Sequence, residues 1–104
     1  MHEGHRQRMY EKVEKNAAAL CDHELLEALL FNAYPRVNTN PIAHALIDSF
    51  GSLAGVFEAS VEQLTTVRGV GKNIAVYIKI VAECAGRVKS LNAGIAVLKT
   101  HEDF

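Results

Sequence analysis

The sequence predicts an all-α fold, a compact helical domain of two tandem hairpin-like helix pairs with a further helix in front. Three observations carry this reading. Apolar residues recur at three- and four-residue intervals through most of the chain, glycine and proline gather at a few breaks, and capping residues stand beside those breaks. At 104 residues, 49% hydrophobic and 22% charged, the chain has the composition of one folded domain.

Residues His5 to Leu20 read as an amphipathic helix, with Met9, Val13, Ala17 and Leu20 on one face and Arg6, Arg8, Lys12 and Lys15 elsewhere. This helix is expected to lie on the domain as a lid, its basic residues nearly cancelled by Glu3, Glu11 and Glu14. Asp22 is the expected N-cap of the next helix, and Glu24 suits its positive end. Leu25, Leu26, Ala28, Leu29, Leu30, Phe31 and Ala33 make that helix apolar over most of its circumference, so it needs neighbours on several sides. Tyr34 to Pro41 is a breaker cluster. Thr39 or Asn40 then caps a helix with Pro41 in its first turn, Ile42, Ala43, Leu46, Ile47 and Phe50 inward, and Gly51 at its end.

Ser52 is placed to cap a short helix through Leu53, Val56 and Phe57, and Ser60–Gln63 has the S-x-x-Q form of a capping box. Between Leu64 and Ile74 the chain must reverse within Arg68 to Gly71, after which a long helix is expected from Lys72 to about Val88. Residues Ser90 to Phe104 read as a tail or linker. Superposing Ala43 on Ala75 lays the Tyr34–Thr39 turn over Val67–Gly71, a weak internal repeat. The predicted organisation is therefore an N-terminal helix over 1–20, a hairpin domain over 21–89 and a tail over 90–104.

The net charge of −1 argues against a strong stand-alone nucleic-acid binder, but the charge is unevenly placed. From Arg68 to Lys89 five cations face one acid, a balance of +4, whereas from Asp22 to Glu62 six acids face Arg36 alone, a balance of −5. The positive field thus centres on the second turn and the helix after it. Cys21 and Cys84 lie far apart without a C-x-x-C partner, so reduced, partly buried thiols are expected rather than a zinc site or a disulfide. No apolar run is long enough to cross a membrane and no secretion segment leads the chain, so a cytoplasmic protein with no membrane partner is expected.

The Arg68-Gly69-Val70-Gly71-Lys72 stretch carries the chemistry. Glycine accepts the positive φ of a tight turn, and Val70 can plug the turn into the core. The glycine amides and the free N–H groups of the following helix then make a donor set at the positive end of the helix dipole, suited to a phosphate oxygen. With Ala75 small where two helices approach and Lys72 beside the donors, the stretch resembles the helix-hairpin-helix motif, which holds the sugar-phosphate backbone without reading bases. The candidate phosphate contacts are Arg68, Gly69, Val70, Gly71, Lys72 and Lys79. The first turn lacks G-x-G and reads as structural, with Arg36 as a secondary DNA contact.

A wider resemblance covers roughly residues 4 to 89. Gly4-His5-Arg6-Gln7-Arg8, Asp22-His23-Glu24-Leu25-Leu26-Glu27-Ala28-Leu29-Leu30-Phe31, Pro35-Arg36-Val37-Asn38-Thr39-Asn40-Pro41 and Phe50-Gly51-Ser52-Leu53, followed by the G-V-G turn, are similar in order to the N-terminal domain of RadC-like proteins. That family was named for DNA repair. The resemblance implies a SAM/RuvA C-terminal-like helical fold, and a JAB/MPN domain that would follow the 90–104 tail. The zinc site of that second domain uses an H-x-H pair with carboxylates, and no two of His2, His5, His23, His44 and His101 make H-x-H here. The His101-Glu102-Asp103 cluster reads as solvated. Glycosylase chemistry fails as well, because Asn73 stands where a lysine nucleophile is needed and no aspartate occurs between it and Asp103.

The expected function is a sequence-tolerant DNA-binding module, non-catalytic, with no metal and no cofactor. The alternative is a protein-interaction or scaffold module, with a protein or the JAB/MPN domain as its partner.

Overall fold

The predicted breaks at Cys21, Tyr34–Pro41, Gly51 and Arg68–Gly71 coincide with breaks between helices. The computed structural model describes the backbone of residues 2–102 and the side chains of residues 4–91. Its elements are α1 (His2–Asn16), a 3-10 turn (Ala17–Ala19), α2 (Asp22–Leu30), α3 (Asn40–Phe50), α4 (Leu53–Glu58), α5 (Val61–Leu64) and α6 (Lys72–Glu102), with no strand among the described residues. The all-α expectation holds.

The main core lies where α2, α3, α4, α5 and the first half of α6 meet. Leu26 and Leu30 of α2, Ala43 and Leu46 of α3, Val56 of α4, Leu64 of α5, and Ala75 and Ile78 of α6 are fully enclosed there. Burying a side chain such as Leu46 contributes roughly 1.5–3 kcal/mol, so this cluster sets the positions of both turns. A smaller cluster of Met9, Leu20 and Phe31 fastens α1 to α2.

The caps follow the sequence in most places. Ser52 Oγ accepts the Gly55 N–H at 3.0 Å. Ser60 Oγ accepts the Gln63 N–H at 3.1 Å, while Gln63 Oε1 accepts the Ser60 N–H at 2.9 Å. Gly51 ends α3 with φ of 85°, and Pro41 sits in the first turn of that helix.

Four expectations are corrected. Asp22 is the first residue of α2 and not its cap: Cys21 stands at the cap, and Glu24 Oε1 reaches back to the Cys21 N–H at 3.1 Å. The first helix stops at Asn16, whose φ of −167° breaks the turn; Leu20 swings inward while Val13 and Ala17 stay exposed. Both cysteines are free and exposed. The last helix does not end near Val88 but runs to Glu102. Residues 90–102 contain no proline, and Leu91, Ile95 and Leu98 continue the three- and four-residue spacing set by Val81, Cys84 and Val88.

The cap of α2 yields a pH prediction. Hydrogen bonds from the Cys21 thiol and the Cys21 N–H hold the Glu24 carboxyl at about 2, below its usual 4.5, and the same contact raises the Cys21 thiol. A depressed carboxylate adds stability above its unfolded value and loses it as pH falls through its folded value. Glu24→Gln is therefore expected to flatten the fall in melting temperature between pH about 4.5 and about 2 relative to the parent chain, as followed by circular dichroism.

Candidate nucleic-acid interface

The turn between α5 and α6 is built from nested short-range hydrogen bonds. Thr65 N–H donates to Val61 O at 3.0 Å, Thr66 N–H to Gln63 O at 3.1 Å, Val67 N–H to Leu64 O at 3.1 Å and Val70 N–H to Val67 O at 3.0 Å. Val67 and Val70 point into the core, 7% and 5% exposed, and anchor the turn from beneath. Gly69 carries the reversal with φ of 92°, and its carbonyl accepts the Tyr34 hydroxyl from the first turn. Burial raises the pKa of that phenol.

The two glycines differ physically. Gly69 is required by its backbone conformation, and a Cβ there would also press within 3.4 Å of Ile42. Gly71 has no positive φ, and a Cβ there would meet nothing within 4 Å. Its carbonyl accepts the Ala75 N–H at 3.0 Å, which makes it the cap residue of α6. Among the described residues nothing accepts the N–H groups of Gly69, Gly71, Lys72, Asn73 or Ile74. Four of these five residues are exposed, Ile74 being half-buried.

The candidate contacts therefore divide. Arg68, Gly69, Gly71 and Lys72 share one exposed corner, and neither Arg68 nor Lys72 makes a salt bridge within the described chain. Val70 stands apart because its N–H is occupied by Val67 and its side chain is buried. Lys79 stands apart as well, since its Nζ donates to Phe57 O at 2.8 Å and closes the end of α4. Arg36 is exposed in the first turn, two residues beyond the Tyr34 that ties the turns together.

The first turn ends differently. Thr39, which takes the place of Gly71 in the repeat, is 1% exposed and donates through Oγ1 to Glu27 O at 3.0 Å. The Asn40 N–H is taken by Asn38 Oδ1 at 3.1 Å, Pro41 has no N–H, and the Asn40 amide donates to the Glu27 carboxylate at 3.0 Å. A phosphate would find few donors there and an internal anion.

The family described as UPF0758 N-terminal matches residues 3–76. UPF0758 protein FN0909 of Fusobacterium nucleatum is 42% identical over 82 residues, which cover 78% of this chain and 35% of that protein. The chain belongs to the UPF0758 family, the RadC-like proteins, as their N-terminal region. It spans about a third of the length of the curated relative it matches. No solved structure matches it.

Two residues of this UPF0758 domain do work that sequence reasoning missed. Arg6 of α1 donates to three carbonyls, Phe31 O at 2.9 Å, Tyr34 O at 2.6 Å and Val37 O at 2.7 Å, with its guanidinium 4.6 Å from the centre of the Phe31 ring. His5 Nε2 lies 2.6 Å from Glu27 Oε2, and Glu27 is only 2% exposed. α1 is thus clamped to the end of α2 and to the first turn, which in turn touches Gly69. These partners lie 22 to 31 residues apart, where no periodicity reveals them. Among the described residues no group of three or more His, Cys, Asp and Glu is placed to hold a metal ion, and no helix is long and apolar enough to cross a membrane. The His101-Glu102-Asp103 side chains lie outside the described residues.

Proposed function

We propose that this UPF0758 N-terminal domain is a sequence-tolerant DNA-binding module that grips the phosphate backbone at the Gly69–Lys72 corner. The observation that carries the reading is a contrast in capping. The six-residue α4 and the four-residue α5 are each closed by a serine hydroxyl, while the 31-residue α6 begins at a bare glycine with its donors open. Serine is a better N-cap than glycine, so stability alone does not explain Gly71. A side-chain-free surface over these free amides, beside Lys72 and Arg68, suits an oxygen supplied from outside.

Contacts of this kind ignore base edges and involve few phosphates. Affinity is therefore expected at the weak level of non-specific binding, on the order of 10⁻⁴ to 10⁻⁶ M, and it should fall with salt. In this reading the chain is a non-catalytic part of a DNA-repair-associated protein, and any hydrolase chemistry resides in the remainder of its longer relatives. Lys72→Glu tests it by fluorescence anisotropy on a labelled duplex. The expected result is at least about tenfold weaker binding at low salt, with a salt slope smaller by roughly 1. Unchanged affinity and slope would remove the corner from consideration.

A further inference from the structure

Helix starts are where an all-α chain keeps most of its unpaired N–H groups, and from α2 to α6 they are not equally open to an anion. α2 carries Asp22 and Glu24 in its first turn, two carboxylates that repel phosphate. At the start of α3 the Asn40 N–H is taken by Asn38 Oδ1, Pro41 has none to offer, and the Glu27 carboxylate lies 3.0 Å from the Asn40 amide. α4 and α5 are closed by the hydroxyls of Ser52 and Ser60, and Glu62 adds a negative charge to the first turn of α5. Only α6 begins with open donors and with cations, Arg68 and Lys72, at its side.

A single opening limits what can be held. The two strands of a duplex face each other across a groove, about 6 Å wide on its narrower side, so a protein that grips both needs a donor set on each bank. The internal repeat supplies the place for a second set, at the first turn, and that place is shut. Thr39, which stands where the second turn has Gly71, is 1% exposed and directs its hydroxyl to Glu27 O. Arg36 is the one cation between Tyr34 and Pro41, and the buried Glu27 carboxylate lies behind the same turn.

We infer that the domain holds DNA by one strand only, so that single-stranded DNA is a ligand of the same corner and the second strand of a duplex adds no contact. The inference rests on the phosphate-binding reading of Gly69–Lys72 and goes beyond it by naming the form of nucleic acid. A single strand presents the same phosphate oxygens as a paired one. Its backbone can also bend to meet the donors, and no base edge has to be paired or exposed for the contact to form.

Fluorescence anisotropy of the 104-residue chain with a labelled oligonucleotide, first single-stranded and then annealed to its complement, tests this over a salt series. The slope of log affinity against log salt is about −0.7 per phosphate contact for a single strand and about −0.9 for a duplex, so each slope converts into a number of contacts. The expected result is the same number on both ligands, to within about one, and a loss of at least about tenfold in affinity for both in Lys72→Glu. Lys72 is exposed, and the far-ultraviolet circular dichroism of the variant should match the parent. A duplex that engages about two or more further contacts, or a single strand that fails to bind while duplex binding still depends on Lys72, would overturn the inference and leave the phosphate-binding reading standing. Binding of neither ligand, or binding of both that ignores Lys72→Glu, would overturn that reading and the inference with it.

Discussion

Arg6→Ala is expected to lower the stability of the domain by about 2–4 kcal/mol, which for a domain of this size moves the melting temperature by on the order of 10–20 °C. The guanidinium donates to the carbonyls of Phe31, Tyr34 and Val37, all at the end of α2 or in the turn beyond it. Hydrogen bonds to a charged group contribute roughly 1.5–3 kcal/mol each, and three on one side chain do not add fully because the freed carbonyls regain water. Its contact with the Phe31 ring adds a smaller amount. Arg6→Lys keeps the charge but not the fork, so it should recover only part of the loss. Urea and thermal denaturation of the three chains decide the point. A loss under about 0.5 kcal/mol, the scatter of ordinary surface substitutions, would show the clamp to be inert.

Gly71→Ser is the second large effect, and its two readouts should move in opposite directions. A serine at this cap supplies the hydroxyl that Ser52 and Ser60 already give α4 and α5, so stability should rise by a few tenths to about 1 kcal/mol. The same hydroxyl would occupy an amide that the proposed function needs, and the added side chain would stand where Gly71 leaves open space. Duplex binding should weaken about tenfold, equivalent to about 1.4 kcal/mol. Gly69→Ala provides the contrast. With φ of 92° it should cost about 1–2 kcal/mol of stability, because its glycine serves the backbone and not the ligand. Retention of full duplex affinity by a stabilised Gly71→Ser chain would mean that the open amides have no phosphate to hold.

These substitutions bear on different levels of the molecule. Arg6 and Gly69 concern whether the turns exist in their folded shape, and Gly71 and Lys72 concern what that shape can accept. The connection between them is physical: Arg6 fixes the Tyr34 turn, Tyr34 donates to Gly69 O, and Gly69 positions the amides at the start of α6. A chain lacking Arg6 should therefore lose some affinity even where it remains folded, through a loosened corner.

Much of this architecture was legible in the residues because its causes are local. The serines before α4 and α5, Pro41 in the first turn of α3, Gly51 at its end and the spacing of Leu26, Leu30, Ala43, Leu46 and Ile78 each act within one or two helical turns. The G-V-G corner was legible for the same reason, down to Val70 being buried. Three features depended on three-dimensional neighbours instead. Lys79 and Lys72 look alike as cations on one helix, and only the nearness of the Phe57 carbonyl sets them apart. Gly69 and Gly71 look alike in the motif, and only the backbone angle and the proximity of Ile42 show that one is needed for the turn and the other is not. Arg6 reads from the sequence as part of the wet side of a helix, and only the structure brings it and His5 to partners more than twenty residues away. Sequence alone determined the helices and the place of the turn, because capping and periodicity are short-range forces. Tertiary structure alone decided which donors and cations remain unoccupied, because that depends on which distant carbonyls fold back against them.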